Sequence, residues 1–187
     1  RAIEDSWHLI RQQALFRSHA LGDFKQLTHG IIRDPAMLEY LNNDRNVARR
    51  PNENLARELM ELFTLGEGNG YSEQDIKEAA RALTGYHFED DAFVFRRRQH
   101  DQGPKRILGR QGTFDGDDLV DLIFAQPAAA EFLVLKLYRA FVHDLPEGGI
   151  DLPRRRFLNA LAADFRRSGF DVGRLLDTLF RSEHFYH

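Results

Sequence analysis

The stretch that decides the fold runs from Pro51 to Tyr86 and reads PNENLARELMELFTLGEGNGYSEQDIKEAARALTGY. Its first half carries apolar residues at the i, i+4, i+7, i+8 spacing of one helix face, which are Leu55, Leu59, Leu62 and Phe63. A stripe of this width predicts an amphipathic helix that buries these side chains. Because the segment from Gly66 to Gly70 tolerates left-handed backbone, we expect the helix to end there.

A second helix is expected after this glycine-rich turn. Ser72 has an acidic residue, Asp75, three positions later, which is the spacing of a capping box at a helix start. Beyond it, small and apolar residues recur at helical spacing, namely Ile76, Ala79, Ala80 and Leu83. Their small size allows a neighbouring helix to approach closely. We therefore expect a helical hairpin on which the other helices pack.

The rest of the chain is dominated by the same periodicity, and we expect a single all-α domain of about seven helices. The chain enters in a helix over Ala2 to Phe16, whose apolar residues at helical spacing are Ile3, Trp7, Ile10, Ala14 and Leu15. Phe132 to Val142 is apolar on nearly all sides, so we expect it to be the most buried helix. Asp34 and Asp115 are residues of the type that caps a helix start.

The period changes between residues 86 and 114, where we expect a small inserted β hairpin. His87-Phe88 and Phe93 to Phe95 flank the acidic turn Glu89 to Asp91, as the two strands of a hairpin would. Arg106 to Leu108, which follows a Gly-Pro pair, is a candidate third strand.

Length and composition bound the class of protein. At 187 residues, with 42% hydrophobic and 29% charged residues, the chain has the size and composition of one globular domain. No run approaches the ~20 consecutive apolar residues that a membrane span needs, so we expect no transmembrane segment in this chain. The formal net charge of −3 lacks the basic excess of nucleic-acid-binding domains, so we expect no nucleic-acid partner. The absence of cysteines excludes disulfides and thiolate chemistry and leaves the cellular compartment open.

The densest polar cluster at a defined spacing surrounds the start of the first hairpin helix. The candidates are Asn52 and Asn54 for ligand binding and Glu53, Arg57 and Glu58 for catalysis. Carboxylates and amides one turn apart can hold a cation or a hydroxylated ligand, and a helix start can hold an anion. In the simpler interpretation, which we favour, Asn52 caps the helix while Arg57 pairs with Glu53 and Glu61 at i, i+4.

His100 and Asp101 form the other candidate catalytic pair, since an aspartate can orient a histidine ring that acts as acid, base or metal ligand. The alternative, which we favour, is a loop histidine whose polar atoms are satisfied locally. No H-x-x-x-H or H-E-x-x-H spacing completes a zinc site, so the sequence predicts no metal. No motif indicates a cofactor either.

Two runs carry a family resemblance. Asn52 to Gly66 (NENLARELMELFTLG) and Gly70 to Tyr86 (GYSEQDIKEAARALTGY) closely resemble the bacterial proteins catalogued as domain of unknown function 1800. Further matching motifs are HALGDF from His19, DPAMLEYLNN from Asp34, HDQGPK from His100, GTFDGDD from Gly112 and SEHFY from Ser182. They occur in the family's order and span nearly the whole chain. Tyr86 stands where the family pattern has Trp, so an aromatic residue is kept there.

The resemblance implies a mostly helical protein that is usually longer on its N-terminal side and often carries an export signal there. Because residues 1–187 begin with Arg1 and enter a helix at once, we expect them to be the C-terminal portion of such a chain, exported to the periplasm or cell envelope. Members are often encoded beside a second exported family related to sulfatases, which implies a partner protein. The resemblance supplies no catalytic residues.

We therefore expect a helical interaction or assembly domain that works with a partner protein. The alternative is a hydrolase or ligand-binding enzyme that acts on envelope polymers or sulfated glycans. The two hypotheses differ in geometry. The enzyme needs Glu53, Asn54, Arg57, His100 and Asp101 to converge in one concave pocket. The interaction domain allows each of them to be engaged in a cap or an ion pair.

Overall fold

The computed structural model describes residues 6–144 and 150–186. Its α-helices are α1 (Ser6–His19), α2 (Phe24–Ile31), α3 (Pro35–Tyr40), α4 (Asn54–Glu58), α5 (Glu73–Ala82), α6 (Gly116–Ala125), α7 (Pro127–Phe141), α8 (Leu152–Arg167), α9 (Val172–Phe180) and α10 (Glu183–Tyr186). Short strands β1 (Tyr86–Glu89), β2 (Ala92–Phe95), β3 (Lys105–Ile107) and β4 (Arg110–Gly112) lie between α5 and α6. The mostly helical class is confirmed.

The number of helices differs from the expected seven, because the described ranges contain ten α-helices. Several are too short for periodicity to register, and α10 has only four residues. Helices α6 and α7 are separated by one residue, Gln126, which takes the cap position at the end of the first and at the start of the second. The part of the predicted first helix before Ser6, with Ile3, lies outside the described residues.

The predicted helical hairpin is present and forms the centre of the core. Leu55 and Ala56 of α4 and Ile76, Ala79 and Ala80 of α5 are fully buried. The predicted capping box begins α5: the Ser72 hydroxyl accepts from the Asp75 N–H, and the Asp75 carboxylate accepts from the Ser72 N–H. Local sequence therefore decides where this helix starts, and apolar burial places it.

The first hairpin helix does not keep the expected period. After α4 the chain continues as a π-helix over Leu59–Thr64, in which the Leu65 N–H donates to the Met60 carbonyl, five residues back. Because this wider winding departs from 3.6 residues per turn, the predicted stripe is wrong at Leu62, which is 50% exposed, whereas Met60 is fully buried.

Two further predicted faces are corrected. In α1, Trp7 and Ile10 are more than half exposed, and the inward residue is His8, which is 4% exposed. Helix α7 is not buried on all sides, because Lys136 and Phe141 lie on its exposed face. These helices carry more apolar residues than they bury. Periodicity alone therefore does not tell which of the apolar residues are buried.

The β region contains two antiparallel hairpins where one was expected. Strand β1 pairs with β2, from Tyr86 opposite Phe95 to Glu89 opposite Ala92. The candidate third strand does not join them; β3 pairs with β4 instead. Leu108 and Gly109 both take positive φ between β3 and β4, a tight two-residue turn that makes this pairing local.

None of the helices in residues 6–144 and 150–186 combines the length and apolarity needed to cross a membrane.

Candidate functional site

A network of asparagines fixes the loop before α4. The Asn52 N–H donates to Asn46 Oδ1 at 2.9 Å, and Asn52 Nδ2 donates to the Asn42 carbonyl at 3.3 Å. Asn52 Oδ1 accepts from the Asn54 N–H at 2.9 Å, at the first residue of α4. The N-cap position itself belongs to Glu53, whose side chain makes no cap hydrogen bond, so Asn52 binds the helix start from one position before the cap. The N–H, Nδ2 and Oδ1 of Asn52 are therefore all engaged in the fold.

This network continues into the C-terminal end of α5. Asn46 Nδ2 donates to Asn43 Oδ1 and to the Ala80 carbonyl, and Asn43 Nδ2 donates to the Leu83 and Tyr86 carbonyls. Asn43 and Asn46 are each 1% exposed. Sequence analysis missed both residues, because the carbonyl groups that they bind lie 34 to 43 positions away and no periodic pattern marks them.

Arg57 lies among three carboxylates. Its guanidinium contacts Glu53 at 3.1 Å and Glu61 at 3.0 Å, which are the two predicted i, i+4 pairs. It also donates two hydrogen bonds to Glu73, the first residue of α5, at 3.0 and 2.8 Å. The hydrogen bonds to Glu73 are the main reason that the pKa of Arg57 is raised, and they lower the pKa of Glu73. Arg57 therefore joins the two helices of the hairpin.

Glu58 stands apart from this cluster. Within residues 6–144 and 150–186 it makes no hydrogen bond and no ion pair. Its side chain is half-buried on α4, and its carboxylate is unengaged there.

Asp101 is bound by an arginine and does not orient His100. Its carboxylate accepts from Arg81 Nε at 2.7 Å and Nη2 at 3.2 Å, and from the Gly103 N–H at 2.8 Å. The Arg81 hydrogen bond lowers the pKa of Asp101. His100 Nδ1 lies 2.9 Å from the Thr84 carbonyl, and its ring packs edge-on against Phe95. The pair is locally satisfied, as in the favoured alternative.

Lys105 holds the loop that carries this pair, and sequence analysis did not single it out. Its side chain is 1% exposed, and its Nζ donates to the carbonyls of Asp101 and Gly103. Burial lowers the pKa of Lys105. The buried ammonium therefore fixes the loop through two carbonyl oxygens.

The two candidate clusters lie at different ends of α5. Arg57 contacts Glu73 in its first turn, whereas Asp101 contacts Arg81, eight residues later, which is roughly 12 Å along a helix axis. Asn52, Glu53 and Asn54 line a depression of about 590 Å³. A second depression, of about 570 Å³, is lined by residues that include Glu78, Arg81 and Lys105. In the described ranges no cluster of three or more His, Cys, Asp or Glu side chains is arranged to bind a metal.

Comparison with known proteins adds one finding. Residues 2–187 match the model of a protein family described as "Protein of unknown function (DUF1800)". No curated protein and no solved structure matches the chain.

Proposed function

We propose that this chain, which belongs to the DUF1800 family, is a non-catalytic helical interaction domain that works with a partner protein. The observation that carries the proposal is the engagement of the candidate groups: Arg57 contacts three glutamates, and Asp101 is bound by Arg81. A general acid or base needs a titratable atom that faces the substrate, and a nucleophile needs an adjacent base. In these two clusters the carboxylates are instead paired with arginines.

The partner and the compartment of the proposal rest on the family resemblance. We propose that the protein is exported to the cell envelope and that its partner belongs to the exported, sulfatase-related family that the resemblance implies. Fractionation of the native host tests the first part, because the full-length protein should be recovered with envelope or periplasmic markers. Recovery with cytoplasmic markers would contradict it.

The interaction is tested with the full-length protein and a sulfatase-related exported protein of the same host, each purified separately. Isothermal titration should show a stoichiometric complex with a Kd on the order of 1 μM or tighter. The Glu58→Ala variant should remain folded in this titration, because Glu58 makes no hydrogen bond or ion pair among the described residues. Absence of binding at high concentration of both proteins would contradict the proposed partnership.

The enzyme hypothesis makes a separate prediction about the same residues. If the domain hydrolysed envelope polymers or sulfated glycans, products would accumulate with the wild type and not with Glu53→Gln or Asp101→Asn variants that remain folded. Turnover of this kind would overturn the non-catalytic proposal, whereas equal and negligible product release by all three proteins would support it.

A further inference from the structure

The depression beside the start of α4 contains two exposed arginines whose guanidinium groups make no hydrogen bond among the described residues. Its lining consists of Asn42, Arg45, Arg50, Pro51, Asn52, Glu53 and Asn54. Among the described residues, Arg50 has neither a carboxylate nor a hydrogen-bond partner for its side chain, and Arg45 has only Asp44, 3.9 Å from its Nε. By contrast, Arg57 and Arg81 each contact at least two carboxylates through several nitrogens.

The backbone that carries these arginines is held in place. The Arg50 N–H donates to the Val47 carbonyl, and the Ala48 N–H donates to the Gln99 carbonyl, both at 2.8 Å. The buried Asn46 binds the Asn52 N–H on one side and the Ala80 carbonyl on the other. Because the wall is ordered before any ligand arrives, binding there loses little conformational entropy in the backbone.

The chemistry of the wall selects a type of ligand. Guanidinium groups bind carboxylate, sulfate and phosphate through paired N–H donors. The Asn54 side chain is exposed and unengaged within residues 6–144 and 150–186, so it can donate to or accept from a hydroxyl group. Glu53 uses its Oε2 for Arg57, and its Oε1 remains to accept from a second hydroxyl.

We infer that this depression binds a small hydroxylated acid, such as an acidic sugar, with its oxyanion on Arg45 and Arg50 and its hydroxyl groups on Asn54 and Glu53. A purely anionic ligand is disfavoured, because the Glu53 carboxylate lies on the same wall. A neutral sugar would leave both guanidinium groups without a counter-charge. This inference goes beyond the interaction proposed above and does not depend on the partner protein.

Titration of the purified protein with glucuronate at low salt tests the inference, with glucose and inorganic sulfate as comparison probes. Glucuronate should bind with a Kd on the order of 1 mM, and glucose and sulfate should each bind at least about tenfold more weakly. Arg50→Gln and Arg45→Gln should each weaken glucuronate binding about tenfold, the loss expected for a charge-assisted hydrogen bond. Asn54→Ala should weaken glucuronate and leave sulfate unchanged.

The matched control is Arg181→Gln, which removes another exposed arginine. Arg181 follows the last residue of α9 and pairs with Asp177 of that helix. It should leave the affinity for glucuronate unchanged. All four variants alter exposed side chains, and their thermal midpoints should match that of the wild type. Glucuronate binding that survives in the folded Arg45→Gln/Arg50→Gln double variant would overturn the inference. Tighter binding of a tetraglutamate peptide than of glucuronate would also overturn it, because an acidic protein segment would then be the better ligand.

Discussion

Arg57 joins α4 to α5 through contacts with Glu53, Glu61 and Glu73. In an Arg57→Gln variant the three carboxylates remain close together without a counter-charge, so we expect the free energy of unfolding at pH 7 to fall by about 1 kcal/mol. Glu73 has a pKa lowered by Arg57, so the stability that it contributes is present above its unfolded pKa and is lost as pH falls through its folded pKa. The difference between wild type and variant should therefore shrink in acid. Urea unfolding at pH 7 and pH 3.5 measures it.

Glu58 provides the matched control for Arg57 on the same helix. Since it makes no ion pair or hydrogen bond within the described ranges, Glu58→Ala should change the free energy of unfolding by no more than about 0.5 kcal/mol. If Glu58→Ala lowered the free energy of unfolding more than Arg57→Gln does, the stabilising role that we assign to the ion pairs of Arg57 would be contradicted.

Asp34 is a buried cap whose charge opposes folding. Its Oδ2 accepts from the Met37 N–H at 2.9 Å and from Gln12 Nε2 at 2.7 Å, and burial raises its pKa. A carboxyl with a raised folded pKa loses its contribution to stability as pH rises through that pKa. Asp34→Asn keeps a cap acceptor without the charge and should stay within about 0.5 kcal/mol of the wild type at pH 7, or exceed it. Asp34→Ala should lose about 1–2 kcal/mol.

Chemical denaturation of both Asp34 variants at about pH 4, near the ordinary carboxyl pKa, and at pH 7 checks this prediction. The Asn variant should also be less pH-dependent than the wild type over this interval. Equal losses in Asn and Ala variants would show that the negative charge itself stabilises the start of α3.

At the scale of the element, the turn after the π-helix depends on close packing against α7. Gly66 has φ +90°, and a Cβ placed on it would lie 2.8 Å from Phe132 Cδ2. Lys136 Nζ lies 4.9 Å from the centroid of the Phe132 ring and donates to the Leu62 carbonyl at 2.7 Å, which holds ring and π-helix together. The turn therefore has neither backbone freedom nor space for a side chain.

Gly66→Ala should lower the free energy of unfolding by about 2–5 kcal/mol, the sum of left-handed strain and overpacking. Gly68→Ala is the control, because Gly68 also has positive φ but no atom within 4 Å of an added Cβ. It should lose only about 1–2 kcal/mol, from the backbone alone. Thermal or urea unfolding of both variants separates the two contributions, and equal losses would show that Phe132 yields without cost.

At the scale of the whole molecule, Lys105 connects the β region to α5. Its ammonium binds two carbonyls of the loop whose Asp101 holds Arg81. Lys105→Met removes these donors at similar length, and we expect a loss of about 1–3 kcal/mol at pH 7. A lysine with a lowered folded pKa binds fewer protons in the native than in the unfolded state, so its contribution rises with pH between the folded and unfolded values.

The stability difference between the wild type and Lys105→Met should accordingly widen from pH 7 toward pH 10. Because both proteins share all other titratable groups, the contributions of those groups cancel in the difference between their free energies of unfolding. A difference that stays constant with pH would show that the buried ammonium keeps its charge at no cost.

Much of the helical architecture was predictable from residues that are close in sequence. Ser72 with Asp75 forms the capping box that their spacing predicts, and Asp115 caps α6 as its residue type predicts. The second hairpin was missed because Arg110 to Gly112 contains no β-branched or aromatic residue. The π-helix was missed because the 3.6-residue period was assumed throughout Leu55 to Phe63. For the site, the ion pairs of Arg57 within its own helix were predictable, and Glu73 was not.

The sequence by itself determined the family, the helical class and the starts of the capped helices, because motifs, periods and caps are properties of neighbouring residues. Only the tertiary structure decided that His8 faces inward, that Asn43, Asn46 and Lys105 are buried, and that the two candidate clusters lie apart. Buried polar groups need hydrogen-bond partners, and here many of these partners are carbonyls and carboxylates far away in sequence. Which polar side chains remain free to bind a ligand is therefore decided by the packing of the whole chain.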